Sequence, residues 1–205
     1  VKIFLIGLLV LGSFSASASL NWNVNNLANH LTYKNYTEVK ELNSNEISAI
    51  MAYGFTDETD YQDINGYLRY GNDFDLYNQT EESVTKLINN LISGAEKLPE
   101  IPKGLVVYRG FKLSWRNNKC FSIGEVIYAK AFTSTTLSKK IANHFAFNKD
   151  SGKGAFVKLK LISAQDGILI TENDEDEVLL MPNRKITITN AYEKDEKCFA
   201  QGTID

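Results

Sequence analysis

The chain has 205 residues, of which 43% are hydrophobic and 23% charged, and its net charge is −3. That is enough apolar material for a packed core, and the composition is not that of a disordered chain. Acids slightly outnumber bases, so the basic footprint that phosphate-backbone binding requires is missing and nucleic acid is not an expected partner.

The chain opens with Lys2, an apolar run over 3–11 and a stretch of small residues over 13–19 that contains Ala16-Ser17-Ala18. This is the pattern of a secretory signal peptide, expected to span 1–18 and to be removed on export. The run is about half of the roughly 20 apolar residues a bilayer span needs, so no stable membrane span is expected after removal. Val1, where Met is usual, fits an alternative bacterial start codon or a shortened sequence, and a bacterial source is expected. Residues 19–205 suit one domain, mainly helical over 19–99 and mainly β over 100–205.

Within the helical part, Asn43 followed by Glu46 reads as an N-cap with a reciprocal partner, and Ile47, Ile50 and Met51 then recur at helical spacing. Thr80 starts another helix, in which Val84, Leu87, Ile88, Leu91 and Ile92 form one apolar stripe until Gly94 and Pro99 end it. Between them lies Tyr61-Gln62-Asp63-Ile64-Asn65-Gly66-Tyr67-Leu68-Arg69. On a helix Tyr61, Asn65 and Arg69 follow one another at single-turn intervals on a common face, which suits either a binding face or the outer face of an amphipathic helix.

From Gly104 the pattern changes to strands, over 105–108, 125–132, 155–162, 168–170, 178–181 and 186–189, with a last one near Cys198 and a short helix over 138–147. Helices first and short strands afterwards argue α+β, with two packed sheets and a cleft. No Gly-x-Gly-x-x-Gly opens a helix, so a dinucleotide would not be held in the Rossmann manner. Cys120 and Cys198 are the two cysteines, and in an exported chain they are expected to be bridged. His30 and His144 stand far apart with no ligand spacing, and no metal is expected.

Three polar clusters stand at strand ends, in order: Tyr108-Arg109-Gly110, Ser134-Thr135-Thr136, and Glu175-Asp176-Glu177 before Val178-Leu179-Leu180. If the strand begins at Asp176, Glu175 and Glu177 point the same way across it. In this ordered set the region 61–188 resembles the mono-ADP-ribosyltransferases of the Arg, Ser-Thr-Ser, Glu-x-Glu class, which includes secreted bacterial toxins. The resemblance implies a helical part packed on a two-sheet β-sandwich, with NAD held as substrate in the cleft. Tyr61 and Asn65 match the family's Tyr-x-x-Ile-Asn-x-x-Leu-Arg helix, whose Tyr and Asn face the dinucleotide.

The same resemblance assigns roles. Glu177 would bond the ribose 2′-hydroxyl and balance the positive charge of an oxocarbenium-like transition state. Ser134 would orient Glu177, Arg109 would hold the pyrophosphate with its planar fork, and Gly110 would let the backbone approach nicotinamide. Phe145 or Phe147 would pack on nicotinamide. Glu175 at the first position of the pair implies an arginine acceptor on a host protein. Two departures stand out: Glu172 where relatives often carry an aromatic residue, and Asn148 where a basic residue is expected. The expected activity is transfer of ADP-ribose from NAD to arginine, and the alternatives are an NAD glycohydrolase or an inactive secreted binding module.

Overall fold

The computed structural model describes residues 41–55, 58–148, 152–170 and 176–205. The expected signal peptide and Glu175 lie outside the described residues. Among the described residues three α-helices come first, α1 (Ser44–Phe55), α2 (Glu58–Tyr70) and α3 (Glu81–Lys97). Then follow β1 (Val106–Lys112), β2 (Val126–Ala129), β3 (Thr133–Thr136), α4 (Lys139–Phe147), β4 (Gly154–Leu161), β5 (Gly167–Ile170), β6 (Glu177–Leu180), β7 (Arg184–Lys194) and β8 (Lys197–Ile204). None of the described helices is long and apolar enough to cross a membrane.

Both expected helix starts are capped as read. Asn43 Oδ1 accepts from the Glu46 N–H at 3.0 Å, and the Glu46 carboxylate accepts from the Asn43 N–H at 2.8 Å. At α3 the box is closed by Ser83: Thr80 Oγ1 accepts from the Ser83 N–H at 3.2 Å and Ser83 Oγ from the Thr80 N–H at 2.9 Å. Helix α3 buries Val84, Ile88, Leu91 and Ala95, and α1 packs on it through Ile50, with Gly94 leaving room for the approach. Glu46 is buried at this seam. Burial alone would push its carboxyl up, but hydrogen bonds from Lys97, Ser93 and the Asn43 N–H prevail and lower it to about 2. The Lys97 and Ser93 contacts are each 2.7 Å long.

The expected split into two sheets is not made by the hydrogen bonding: all eight strands join in the order β2-β7-β8-β4-β1-β3-β6-β5. Among the described strands only the β4–β8 pair runs parallel. The expected strand over 125–132 is a strand only at Val126–Ala129, and a separate strand, β3, begins at Thr133, just past its expected end. β2 lies at one edge beside β7, whereas β3, after the buried Ala131 and Phe132, lies between β1 and β6. An apolar run therefore crosses the molecule where its periodicity alone suggests a single strand. β7 extends past Thr189 to Lys194, pairing with β8 through an irregularity between Ile188 and Asn190. Asp195 and Glu196, both left-handed at φ 51° and 59°, close that hairpin tightly. Cys120 and Cys198 form a disulfide with Cα atoms 5.4 Å apart.

Helix α4 owes its position to two glycines on neighbouring strands. A Cβ on Gly110 would lie 1.8 Å from the Ala142 carbonyl oxygen, and one on Gly154 would lie 1.6 Å from that of Ala146. The helix backbone thus rests directly on β1 and β4. Ser138 caps it, its hydroxyl accepting from the Ile141 N–H at 3.3 Å.

Candidate active site

The cleft opens where the sheet's hydrogen bonding gives out. β1 and β3 are in register at Tyr108 and Thr136 alone. One residue further along β1, the Arg109 guanidinium replaces the ladder, its Nη1 donating to the Ser134 carbonyl. Around this gap is a cleft of about 650 Å³ lined by, among others, Tyr61, Asn65, Arg109, Gly110, Ser134, Phe145 and Glu177. Every expected site residue within the described part of the chain, apart from the alternative Phe147, therefore lines one cavity.

Directly opposed residues of an antiparallel pair share a face, so Thr136 with Glu177, and Ser134 with Leu179, lie on one face of the β3–β6 pair. On the other face the Thr135 hydroxyl donates to the Val178 carbonyl at 2.6 Å and fastens the two strands. Glu177, the first residue of β6, is only 6% exposed, so its carboxylate meets the cleft from a nearly dry position. The residue before it departs from expectation. Asp176 is left-handed at φ 46° rather than extended, and the strand begins one residue later. Strand alternation therefore does not set the relation between Glu175 and Glu177.

Asn65 is buried and donates from Nδ2 to the Tyr53 hydroxyl at 2.8 Å, while its Oδ1 has no hydrogen-bond partner among the described residues. A buried, unsatisfied acceptor on a cleft wall costs free energy that a ligand donor would recover. Burial first, and then the nearby Glu177 charge, push the Tyr53 phenol up, so it stays protonated. Arg109 is pulled down chiefly by burial and also by Arg69, against the opposing influence of Tyr53 and Glu177. Its guanidinium remains charged. Arg69 lines the same cleft. Two guanidiniums facing one cavity repel each other, and a pyrophosphate between them would relieve that repulsion, so these residues fit NAD.

Gly110 lines the cleft, but the contact that demands a glycine there is helix α4 behind it. The two candidate phenylalanines separate. Phe145 is 46% exposed and lines the cleft. Phe147 packs away from it against Phe199, with ring centroids 5.3 Å apart and Lys197 over its ring. Tyr53 is a wall residue the sequence does not single out. It follows Ile50 by three positions in an apolar stripe, which marks it as core, and its ring does pack on Phe132 at 5.6 Å. Only the hydroxyl's bond to Asn65 shows its second role.

The sequence model of the ADP-ribosyltransferase exoenzyme family matches residues 28–205. No curated protein sequence matches the chain significantly. Among solved structures, the Vis toxin of Vibrio splendidus, an ADP-ribosyltransferase, shares 24% identity at a TM-score of 0.63, over 89% of this chain and 84% of that one. Vis in complex with agmatine gives the same identity and coverage at a TM-score of 0.66. The ADP-ribosylating toxin BECa of C. perfringens, solved with NADH, shares 22% identity at a TM-score of 0.64, over 84% of this chain and 46% of that one. C3stau2 of S. aureus, solved with NAD, shares 15% identity at a TM-score of 0.60, over 84% and 92%. The family match runs through all the strands and helices that build the cleft, and on that ground the chain belongs to the ADP-ribosyltransferase exoenzymes.

Proposed function

We propose that this protein is an exported mono-ADP-ribosyltransferase toxin that moves ADP-ribose from NAD to an arginine of a host protein, with NAD hydrolysis as its background reaction. The observation that carries the reading is the convergence of Arg109, Ser134 and Glu177 on one cleft with Tyr61, Asn65 and Phe145. Arg69 and Arg109 take the pyrophosphate, Phe145 offers an exposed ring to nicotinamide, and the open Oδ1 of Asn65 accepts from the dinucleotide. As the bond from nicotinamide nitrogen to ribose C1′ breaks, positive charge develops on the sugar. The Glu177 carboxylate, oriented by the Ser134 hydroxyl, stabilises that charge in a site from which water is largely excluded. Glu175 holds the incoming guanidinium, whose nitrogen forms the new bond to C1′ and loses its proton.

Agmatine, the small guanidinium compound seen on Vis, is the acceptor for the test. With NAD and agmatine, mass spectrometry is expected to show ADP-ribosylated agmatine. Glu175→Gln is expected to abolish that product while much of the NAD hydrolysis persists. NAD consumption with no transfer to agmatine or to arginine-bearing protein would instead establish a glycohydrolase. Neither consumption of NAD nor a change of Tm with NAD would establish a binding module.

A further inference from the structure

One rim of the cleft carries a surface that the cleavage chemistry does not use. From Gly71 to Glu82 the sequence holds Asp73, Asp75, Glu81 and Glu82 and no lysine or arginine. Three aromatic rings stand along this stretch and the residue before it. Tyr70 and Tyr77 are each 63% exposed, and Phe74 lies between them, 6.3 Å from Tyr70 and 5.9 Å from Tyr77. All three line the cleft. Two exposed rings joined by a half-buried one beside a binding cavity mark a contact surface, since such surface is costly to leave in water.

The rim is also held in shape. The fully buried Asp63 carboxylate accepts from the backbone N–H groups of Tyr77, Asn78 and Gln79 at 2.7, 2.9 and 3.0 Å. Phe74 sits where Gly66 has no side chain, since a Cβ there would come within 2.2 Å of its ring. The Tyr67 hydroxyl donates to Glu81 at 3.0 Å. Exposed rings on a fixed backbone lose little freedom when a partner binds.

The charge tells which partner. The pyrophosphate that suits Arg69 and Arg109 is repelled by carboxylates, so the rim is complementary to a cation and not to the dinucleotide's phosphates. Ring faces attract ammonium and guanidinium groups, and carboxylates beside them add to that attraction. We infer that the 70–82 rim binds lysine and arginine side chains flanking the acceptor residue, so that the protein selects acceptors lying in basic segments. The inference rests on the arginine-transfer reading.

The test gives the full chain, disulfide intact, NAD with agmatine or with one of two arginine peptides flanked by lysines or by glutamates. The kcat/KM for the lysine-flanked peptide is expected to exceed the other by about tenfold at low salt, the gap narrowing as salt screens it. Asp73→Asn with Asp75→Asn should remove most of that preference without changing agmatine turnover or the KM for NAD. Asp73→Lys with Asp75→Lys should favour the glutamate-flanked peptide. Equal use of the two peptides by the unaltered protein overturns the inference, as does an asparagine pair that slows agmatine and both peptides alike or raises the KM for NAD. If agmatine and both peptides go unmodified, the arginine reading has failed, and peptide affinity alone decides the rim. Fluorescence anisotropy should then show the lysine-rich peptide binding more tightly than the glutamate-rich one and weakening in the asparagine pair; equal affinities would overturn the inference.

Discussion

Glu177 and Tyr53 illustrate how burial sets chemistry at single residues. A carboxylate with 6% exposure acts through a low effective dielectric, where its attraction for a developing positive charge is larger than in water. Glu177→Gln keeps the shape and removes the charge. Both NAD hydrolysis and transfer are expected to fall by about 100-fold or more. NAD should still raise the Tm, because Arg69, Arg109 and Asn65 are unchanged. A variant that hydrolyses NAD within about tenfold of the unaltered rate would take Glu177 out of the cleavage step. Of the two residues, Glu177 is legible from its motif, while Tyr53 is not, because an aromatic in a helical stripe packs as core whether or not its hydroxyl serves a ligand. Asp176 is likewise illegible: a left-handed residue at a strand's threshold leaves no trace in apolar alternation.

The helices show what local chemistry predicts well. The caps at Asn43 and Thr80 depend on side chains three residues apart, so they can be read without knowing the rest of the fold. The seam that Glu46 makes between α1 and α3 depends on Lys97 and Ser93, distant in sequence, and has no local sign. Its pH dependence follows from the lowered carboxyl. The folded value of about 2 lies below the ordinary 4.5, so the stabilisation is complete above the ordinary value and is lost as pH falls through about 2. At neutral pH Glu46→Gln is expected to cost about 2 kcal/mol, the size of a buried hydrogen bond to a charged group. Thermal melts from pH 7 down to pH 2 should show the gap to the unaltered protein closing below about pH 4.5. A gap that stays constant to pH 2 would mean that shape, not charge, holds the seam.

For the whole molecule, strand existence is legible and strand order is not. Val106, Ile127, Val157 and Ile186 mark their strands by β-branching, but the order that puts β2 at an edge and β3 between β1 and β6 follows from which apolar faces meet in three dimensions. The hydroxyl cluster at Ser134 shows the consequence: expected at a strand's end, it is a strand of its own, set against the place where the β1 ladder stops. The disulfide acts at this scale too, because Cys198 is fully buried in β8 and Cys120 belongs to the connection from β1 to β2. That connection has anchors besides the bridge. Arg116 binds Glu125 through two contacts, of 2.6 and 2.9 Å, and lies 4.5 Å from the centroid of the Phe121 ring. Closing a loop with a sequence separation of 78 stabilises by about 4 kcal/mol when only the entropy of the unfolded chain is counted. Cys120→Ala with Cys198→Ala is therefore expected to lower the Tm by about 10 °C. Because Arg116, Glu125 and Phe121 keep the connection in place, NAD hydrolysis at 25 °C should persist. An unchanged Tm would show that the bridge adds nothing to stability, and loss of activity in a folded variant would show that it, rather than the Arg116–Glu125 pair, holds this side of the molecule in shape.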